Sequence, residues 1–453
     1  MTLPVSIAAR LYWAAEATRG WDVVASRHRE LVENQWRSPE EIADLQLKKL
    51  QQMLVWAYET VPYYRALMQH RGLTGRSFTH PDMLRRLPKL TRPILRSSQD
   101  ALRSTAIASD HIHDNFSSGS TGLRAAFKQD VDHKLWARAH QLRAYGWCEG
   151  WTVGEPFALI WGNPVYWQKA NLHRRVVNAL SNRVELNAFR LGAAEIADML
   201  ARLVRLRPRL ISGYSTALYL IARLARDTAT RIPELRAVQP TAEPLTEEMR
   251  QTLMDGFGCP VFDKYGSRET NIVAHESPAH AGMCIQSENV FVEFLRPDDT
   301  PCAPGETGTL VFTTLNNLAM PLIRYQSSDL AAPLPGRCPS GRGLPLMTPV
   351  RGRQQDVLST PDGEVHPQVF SNIFMRFVEI EWFQVVQERM DTLHVRVVAP
   401  SGLSDAVREE IRALVTQHTG YPFRLEFELL SEMPPSVTGK FRLCENRIER
   451  PTP

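Results

Sequence analysis

Hydrophobic positions change their period along this chain. Over residues 1–110 they recur at three- and four-residue spacing, and "SPEEIADLQLKKLQQMLVWAYETV" (38–61) is the clearest stretch. Its Ser38-Pro39-Glu40-Glu41 start supplies a cap, a first-turn proline and acidic residues at a helix N-terminus, so a helix is predicted there. From 115 to about 350, short apolar runs alternate with amphipathic ones. "PFALIWG" (156–162) and "PRLISGY" (208–214) predict strands, while "AAEIADMLARLVRL" (193–206) and "TALYLIARLARD" (216–227) predict helices. "NVFVEFL" (289–295) and "GTLVFTTL" (308–315) predict further strands, the second after the turn "PGETG". That alternation predicts an α/β fold.

The last hundred residues change character. "LHVRVVA" (393–399) places Leu393, Val395 and Val397 on one face, and "FRLEFELL" (423–430) does the same with Phe423, Leu425, Phe427 and Leu429. Between them, "SDAVREEIRALVTQHTG" (404–420) reads as a capped helix ending near Gly420. Strand, helix and strand in so short a span predict a small α+β module, with a boundary near 353–360, after "VRGRQQD".

Composition narrows this picture in few places. The 453 residues, 43% hydrophobic, allow two or three domains. A net charge of +4, from 53 basic and 49 acidic residues, gives no push toward nucleic acid or membrane. Arg-rich "RLVRLRPR" (202–209) has Leu and Val at helical spacing, as a solvated helix face does. Six scattered cysteines without a Cys-x-x-Cys pair suggest a reducing compartment. The first twenty residues lack a basic start and are interrupted by Arg10, so a soluble, cytoplasmic protein is expected.

Candidate chemistry begins with "NFSSGSTGLRAAF" (115–127). Small residues let a backbone approach an anion closely, and successive N–H groups and hydroxyls can point at it. An ordinary loop reads the same way. A P-loop is excluded, because no Gly-Lys-Ser/Thr follows the spacer. "GYSTA" (213–217) is one glycine short of a serine-hydrolase elbow. Further pieces follow in order: "TAEPLTEEMR" (241–250), "DKYGSRET" (263–270), "IRYQSSDL" (323–330), "RGRQQDVL" (351–358) and "MPPSVTGKFRL" (433–443).

In that order the six pieces resemble the adenylate-forming superfamily of acyl- and aryl-CoA ligases, peptide-synthetase adenylation domains and luciferases. The branch most similar is the phenylacetate-CoA ligase group, and within it the capsular-polysaccharide-type adenylate ligases and deazaflavin-coenzyme adenylating synthetases. "VPYYRALM" (61–68) and "LPKLTRPILRSS" (87–98) look like N-terminal signatures of that branch. The resemblance implies a large multi-layer α/β adenylation domain, residues 1–353, and a small mobile α+β domain, residues 354–453. It implies that Ser117, Ser118, Gly119, Ser120, Thr121 and Gly122 hold the ATP phosphates. Ala242, Glu243 and Pro244 would border the adenine. Tyr265, Gly266 and Ser267 would lie along the nucleotide, Glu269 would bind Mg²⁺, and Asp329 with Arg353 would hold the ribose. Lys440 would bridge the carboxylate and the α-phosphate; with Glu269 and Thr121 it forms the expected catalytic set. The acidic hinge position of the superfamily, two residues after Arg353, is Gln355 here, and the acid comes one later as Asp356.

The implied activity is ATP- and Mg²⁺-dependent adenylation of a small aromatic or acyl carboxylic acid. The acceptor would be coenzyme A, a carrier-protein thiol or an amine. Two alternatives stay open: a nucleotidyltransferase leaving AMP on a hydroxyl, and a non-catalytic binding protein. Trp161, Asn163, Tyr166 and Tyr214 are candidates for an acid pocket, and a homodimer stays open. Some members of the resembled branch hold a structural zinc. The counterparts here are His275, Cys284 and Cys338, with His280 nearby and Ser340 where a second turn cysteine would stand.

Overall fold

A computed structural model describes residues 2–18, 20–116, 126–161, 172–188, 193–350, 358–361, 363–365, 368–374, 376–377, 379–432 and 443–448. The first hundred residues are helical: α1 (Val5–Thr18), α2 (Val23–Asn34), α3 (Pro39–Thr60), α4 (Pro62–His70), and the short α5 (Arg92–Ser97) and α6 (Gln99–Leu102). The predicted cap of α3 is a full capping box, with the Ser38 side chain accepting from the Glu41 amide and Glu41 accepting from the Ser38 amide. An antiparallel hairpin, β1 (Ile112–Phe116) and β2 (Ala126–Asp130), then leads into α7 (Val131–Trp147).

Five strands follow in parallel: β3 (Phe157–Trp161), β4 (Arg183–Asn187), β5 (Leu210–Tyr214), β6 (Ala237–Thr241) and β7 (Lys264–Ser267). Helices α8 (Leu172–Leu180), α9 (Ala193–Leu206), α10 (Ser215–Asp227) and α11 (Glu247–Phe257) connect them. The order is β4-β3-β5-β6-β7, and antiparallel β8 (Asn271–Glu276) and β9 (Met283–Ile285) extend the sheet. Both faces are covered. Ile160, Ile211 and Val238 pack with Leu203, Leu218 and Leu253, while Phe157, Leu210 and Ala237 pack with Leu135 and Leu142 of α7. That two-sided burial is why "LISGY" reads as an unbroken apolar run.

A second antiparallel sheet joins β10 (Val290–Leu295), β11 (Gly308–Thr314) and β12 (Tyr325–Ala331), and β13 (Pro333–Leu334) with β14 (Leu346–Met347) completes the edge of the large one. The C-terminal part contains β15 (Leu358–Thr360), β16 (Gly363–Val365), α12 (Gln368–Phe374), β17 (Trp382–Arg389), β18 (Thr392–Val398), α13 (Asp405–Thr419), β19 (Arg424–Leu430) and β20 (Cys444–Asn446). Its strands, ordered β19-β18-β17-β20, enclose a core drawn from Leu358 to Cys444. Leu393, Val395 and Val397 are buried as their alternation predicts. On β19 the expected face runs out of cover: Leu425 is buried, but Leu429 is 46% exposed on what is an edge strand.

The architecture is thus mixed α/β, a large N-terminal part and a smaller C-terminal one. The two touch where Arg223 Nη1 donates to the Ile380 carbonyl at 3.1 Å. Beside that contact a small apolar cleft lies between Thr216, Tyr219 and Met249 on one side and Phe374, Trp382 and Phe383 on the other. No helix among the described residues is long and apolar enough to cross a membrane.

Candidate active site

In open sheets of this kind, ligands settle outside the carboxyl ends of the parallel strands. Here those ends carry Trp161, Tyr214 and Thr241, followed by Ala242, Glu243 and Pro244, while β7 carries Tyr265, Gly266 and Ser267. Trp161 and Tyr214 pack ring on ring, with centroids 4.4 Å apart. Burial, and then the Glu243 charge, push the Tyr214 phenol upward, so it stays a neutral donor. Ala242 sits at φ +72°, a strained conformation for a residue with a Cβ.

Residues distant in sequence meet around β7. The Tyr265 hydroxyl donates to Asp329 Oδ2 at 2.5 Å, which joins the large sheet to β12. From the same strand as Asp329, the Tyr325 hydroxyl reaches Glu269 Oε1 at 3.4 Å. Glu269 itself is 6% exposed. Ser267 Oγ accepts from the Thr270 amide at 3.2 Å and closes the turn after β7. The turn is tied to the hairpin: Arg268 Nη1 donates to the Phe116 carbonyl at 3.2 Å, and Gln129 Nε2 donates to the Arg268 carbonyl at 2.9 Å. Phe116 and Ala126, paired across the hairpin, bracket the Ser/Gly-rich stretch. That stretch, Ser117, Ser118, Gly119, Ser120, Thr121 and Gly122, lies outside the described residues, as do Asn163, Tyr166, Arg353 and Lys440.

Gly266 has a local reason to be glycine. A Cβ there would meet the Asn271 carbonyl oxygen at 2.2 Å, because β7 and β8 close on each other at a register shift between Tyr265 and Gly266. Glu243 has a task separate from any adenine contact. Its Oε2 accepts from the Thr216 amide at 2.8 Å, and its carbonyl accepts from Ser215 Oγ at 3.1 Å. It thereby caps the N-terminus of α10, where a negative charge is favoured.

The zinc expectation finds no support. No group of three or more His, Cys, Asp or Glu among the described residues is arranged to hold a metal. His275 and Cys284 do face each other across β8 and β9. Yet His275 Nδ1 is taken up by the Glu276 carbonyl at 2.5 Å and Nε2 by the Gln239 amide at 2.7 Å, so no lone pair remains for a metal. Burial lowers this imidazole to about 3, which keeps it neutral. Cys338 bonds with Ser277 and Ser340 at 3.1 and 2.9 Å and with Cys284, and His280 leans toward Glu276 at 3.6 Å. The thiols and hydroxyls satisfy one another, and serine is a poor replacement for a zinc-binding thiolate.

Sequence reasoning overlooked Arg268, Tyr325 and Lys264. Lys264 directly precedes Tyr265, and its carbonyl accepts from Thr241 Oγ1 at 3.1 Å. A lysine between a buried Asp263 and the Tyr-Gly pair was the available signal for the third of these.

The chain is similar to known proteins. Residues 357–447 match the family model described as the CapK C-terminal domain. The chain is 28% identical over 383 residues to phenylacetate-coenzyme A ligase of Escherichia coli (strain K12), covering 80% of this chain and 83% of that protein. It is 26% identical over 442 residues to phenylacetate-coenzyme A ligase of Thermus thermophilus, covering 89% and 96%. Among solved structures, 2-hydroxyisobutyryl-CoA ligase in the postadenylation state, in complex with R3-HIB-AMP, has the same fold. Its TM-score is 0.75 at 20% identity, over 92% of this chain and 91% of that one.

Proposed function

We propose that this chain, which belongs to the phenylacetate-CoA ligase-like branch of the adenylate-forming superfamily, activates a small carboxylic acid with ATP as its acyl-AMP and passes the acyl group to the thiol of coenzyme A. One observation carries this most: the stem of the Ser/Gly-rich hairpin, the Tyr265–Glu269 turn and Asp329 are joined by direct hydrogen bonds at one end of the parallel sheet. Relatives named as coenzyme A ligases favour a thiol over an amine as acceptor.

In the first half-reaction a carboxylate oxygen bonds to the α-phosphorus of ATP, the bond from that phosphorus to the bridging oxygen breaks, and pyrophosphate leaves. In the second, the thiol sulfur bonds to the acyl carbon, the carbon–oxygen bond to AMP breaks, and the thiol proton passes to solvent. The first step brings an anion to an anion, so catalysis rests on positioning and charge neutralisation. The hairpin stem delivers Ser117 to Gly122 to the phosphates. Ala242, Glu243 and Pro244 flank the adenine by backbone, since the Glu243 carboxylate is spent on α10. Asp329, held by Tyr265, accepts from the ribose hydroxyls, and Arg353 is assigned to assist there. Glu269 offers one hard oxygen ligand, which together with substrate phosphates suits Mg²⁺. When bound, that ion supplies positive charge against the leaving pyrophosphate. Lys440 belongs to the small domain, residues 354–453, and brings its ammonium to the α-phosphate only when that domain closes.

Incubation with ATP, Mg²⁺ and a panel of aryl and aliphatic acids tests this, with pyrophosphate release followed before and after adding coenzyme A. Acid-dependent release and a thioester product are expected. In Lys440→Ala release falls by about 10²–10³, as for loss of one preorganised electrostatic contact. Release that is independent of acid, or a Lys440→Ala variant of full activity, overturns the assignment.

A further inference from the structure

The face of the sheet that packs on α7 holds a cation with no acidic partner among the described residues. Lys264 opens β7 and is half-buried. Its Nζ donates to Gln141 Oε1 of α7 at 3.3 Å and lies 6.0 Å from the centre of the Tyr145 ring. Burial, with a smaller push from nearby Arg183, lowers this ammonium to about 8 against the Cys148 thiol, which favours its charge but is no carboxylate. Gln141 Nε2 is buried and has no acceptor. An ammonium with one of three N–H groups used therefore stands beside an amide with both N–H groups unused. Withdrawing such donors from water without acceptors is costly.

The backbone of Lys264 stands at the end of the sheet where a ligand would arrive. Lys264 is register-paired with Thr241 at the carboxyl end of β6 and adjoins Tyr265 and Gly266 of the reaction centre. We propose that the acid activated by this chain carries a second carboxylate, away from the reacting one, and that Lys264 and Gln141 bind it. This substrate class rests on the adenylation reading given above. A dicarboxylate brings the acceptor that Gln141 Nε2 lacks and a charged one for the two Lys264 N–H groups not used on Gln141, and its charge holds Lys264 protonated.

The test measures binding and turnover separately. Calorimetry without ATP compares glutarate with butyrate, and 4-carboxyphenylacetate with phenylacetate, on wild type, Lys264→Met and Gln141→Leu. In at least one pair the diacid binds wild type about tenfold or more tightly than its monoacid, the size of a charged hydrogen bond. Lys264→Met removes that preference, Gln141→Leu reduces it, and Lys264→Arg retains part of it. Equal or undetectable binding of all four acids, or a preference that survives Lys264→Met, overturns the proposal. The same samples with ATP and Mg²⁺ report pyrophosphate. Lys264-dependent diacid binding with no pyrophosphate from any acid leaves the anion site standing and removes the adenylation reading.

Discussion

Gly266→Ala places one methyl group at the tightest point of the site. The new Cβ would stand 2.2 Å from the Asn271 oxygen, 3.0 Å from its carbonyl carbon and 3.2 Å from Ile272 Cα, where ordinary contact begins at 3.4 Å. All three obstacles are backbone, so no rotamer change relieves them, and β7 must part from β8 by about 1 Å. Overpacking of this kind costs about 1–3 kcal/mol, a loss of a few degrees in Tm. The larger effect falls on catalysis. Tyr265, Ser267 and Glu269 all move with the bulge, and a displacement of about 1 Å in a positioning element costs roughly 10²-fold. Gly146→Ala on α7 is the control. Its nearest neighbour is the Trp151 carbonyl at 3.7 Å, an ordinary contact, so the helix gains about 0.5–1 kcal/mol. Thermal unfolding and acid-dependent pyrophosphate release on both variants decide the matter. If Gly266→Ala unfolds with wild type and keeps kcat/KM within about tenfold, the bulge is slack and the positioning role of β7 is wrong.

Two more outcomes are expected. Asp329→Asn loses the charged acceptor of the Tyr265 hydroxyl and, on the proposed function, of the ribose, so ATP should bind about 1.5–3 kcal/mol more weakly; an unchanged Kd by calorimetry removes Asp329 from the nucleotide site. Glu288→Gln breaks a fully buried pair in which Glu288 holds Arg143 at 2.8 and 2.9 Å, and should cost about 3–5 kcal/mol. Although burial raises the Glu288 carboxyl, Arg143 outweighs it and lowers the group from 4.5 to about 2. Its stabilising contribution is therefore complete above pH 4.5 and is lost as pH falls toward about 2, so urea denaturation of wild type and variant should converge in acid. Parallel curves across that window refute the pair's contribution.

Much of the fold was legible because its signals are local. The α3 capping box is contained in Ser38 to Glu41, and the period of Leu393, Val395 and Val397 reports a face that one core covers. What escaped depends on partners far along the chain. Leu429 keeps the strand period of Leu425, yet its position on an edge strand leaves it exposed. The motif of Glu243 gave no sign that its carboxylate is claimed by the first turn of α10. His275 and Cys284 have the residue types and even the register for a metal, and only Gln239, from another strand, reveals that the imidazole is occupied. Lys264 was visible beside Tyr265, but that its partner is an amide, with its own Nε2 left without an acceptor, appears only when α7 brings Gln141 against it.

Transfer of heavy oxygen from the acid tests the central chemistry most directly. The carboxylate is labelled at both oxygens and incubated with ATP, Mg²⁺, coenzyme A and the protein, and the nucleotide product is weighed. Attack of the carboxylate on the α-phosphorus followed by thiol transfer leaves one heavy oxygen on AMP and one in the thioester, with pyrophosphate unlabelled. Unlabelled AMP, label in phosphate beside ADP, or AMP joined to another molecule's hydroxyl would contradict an acyl-AMP intermediate.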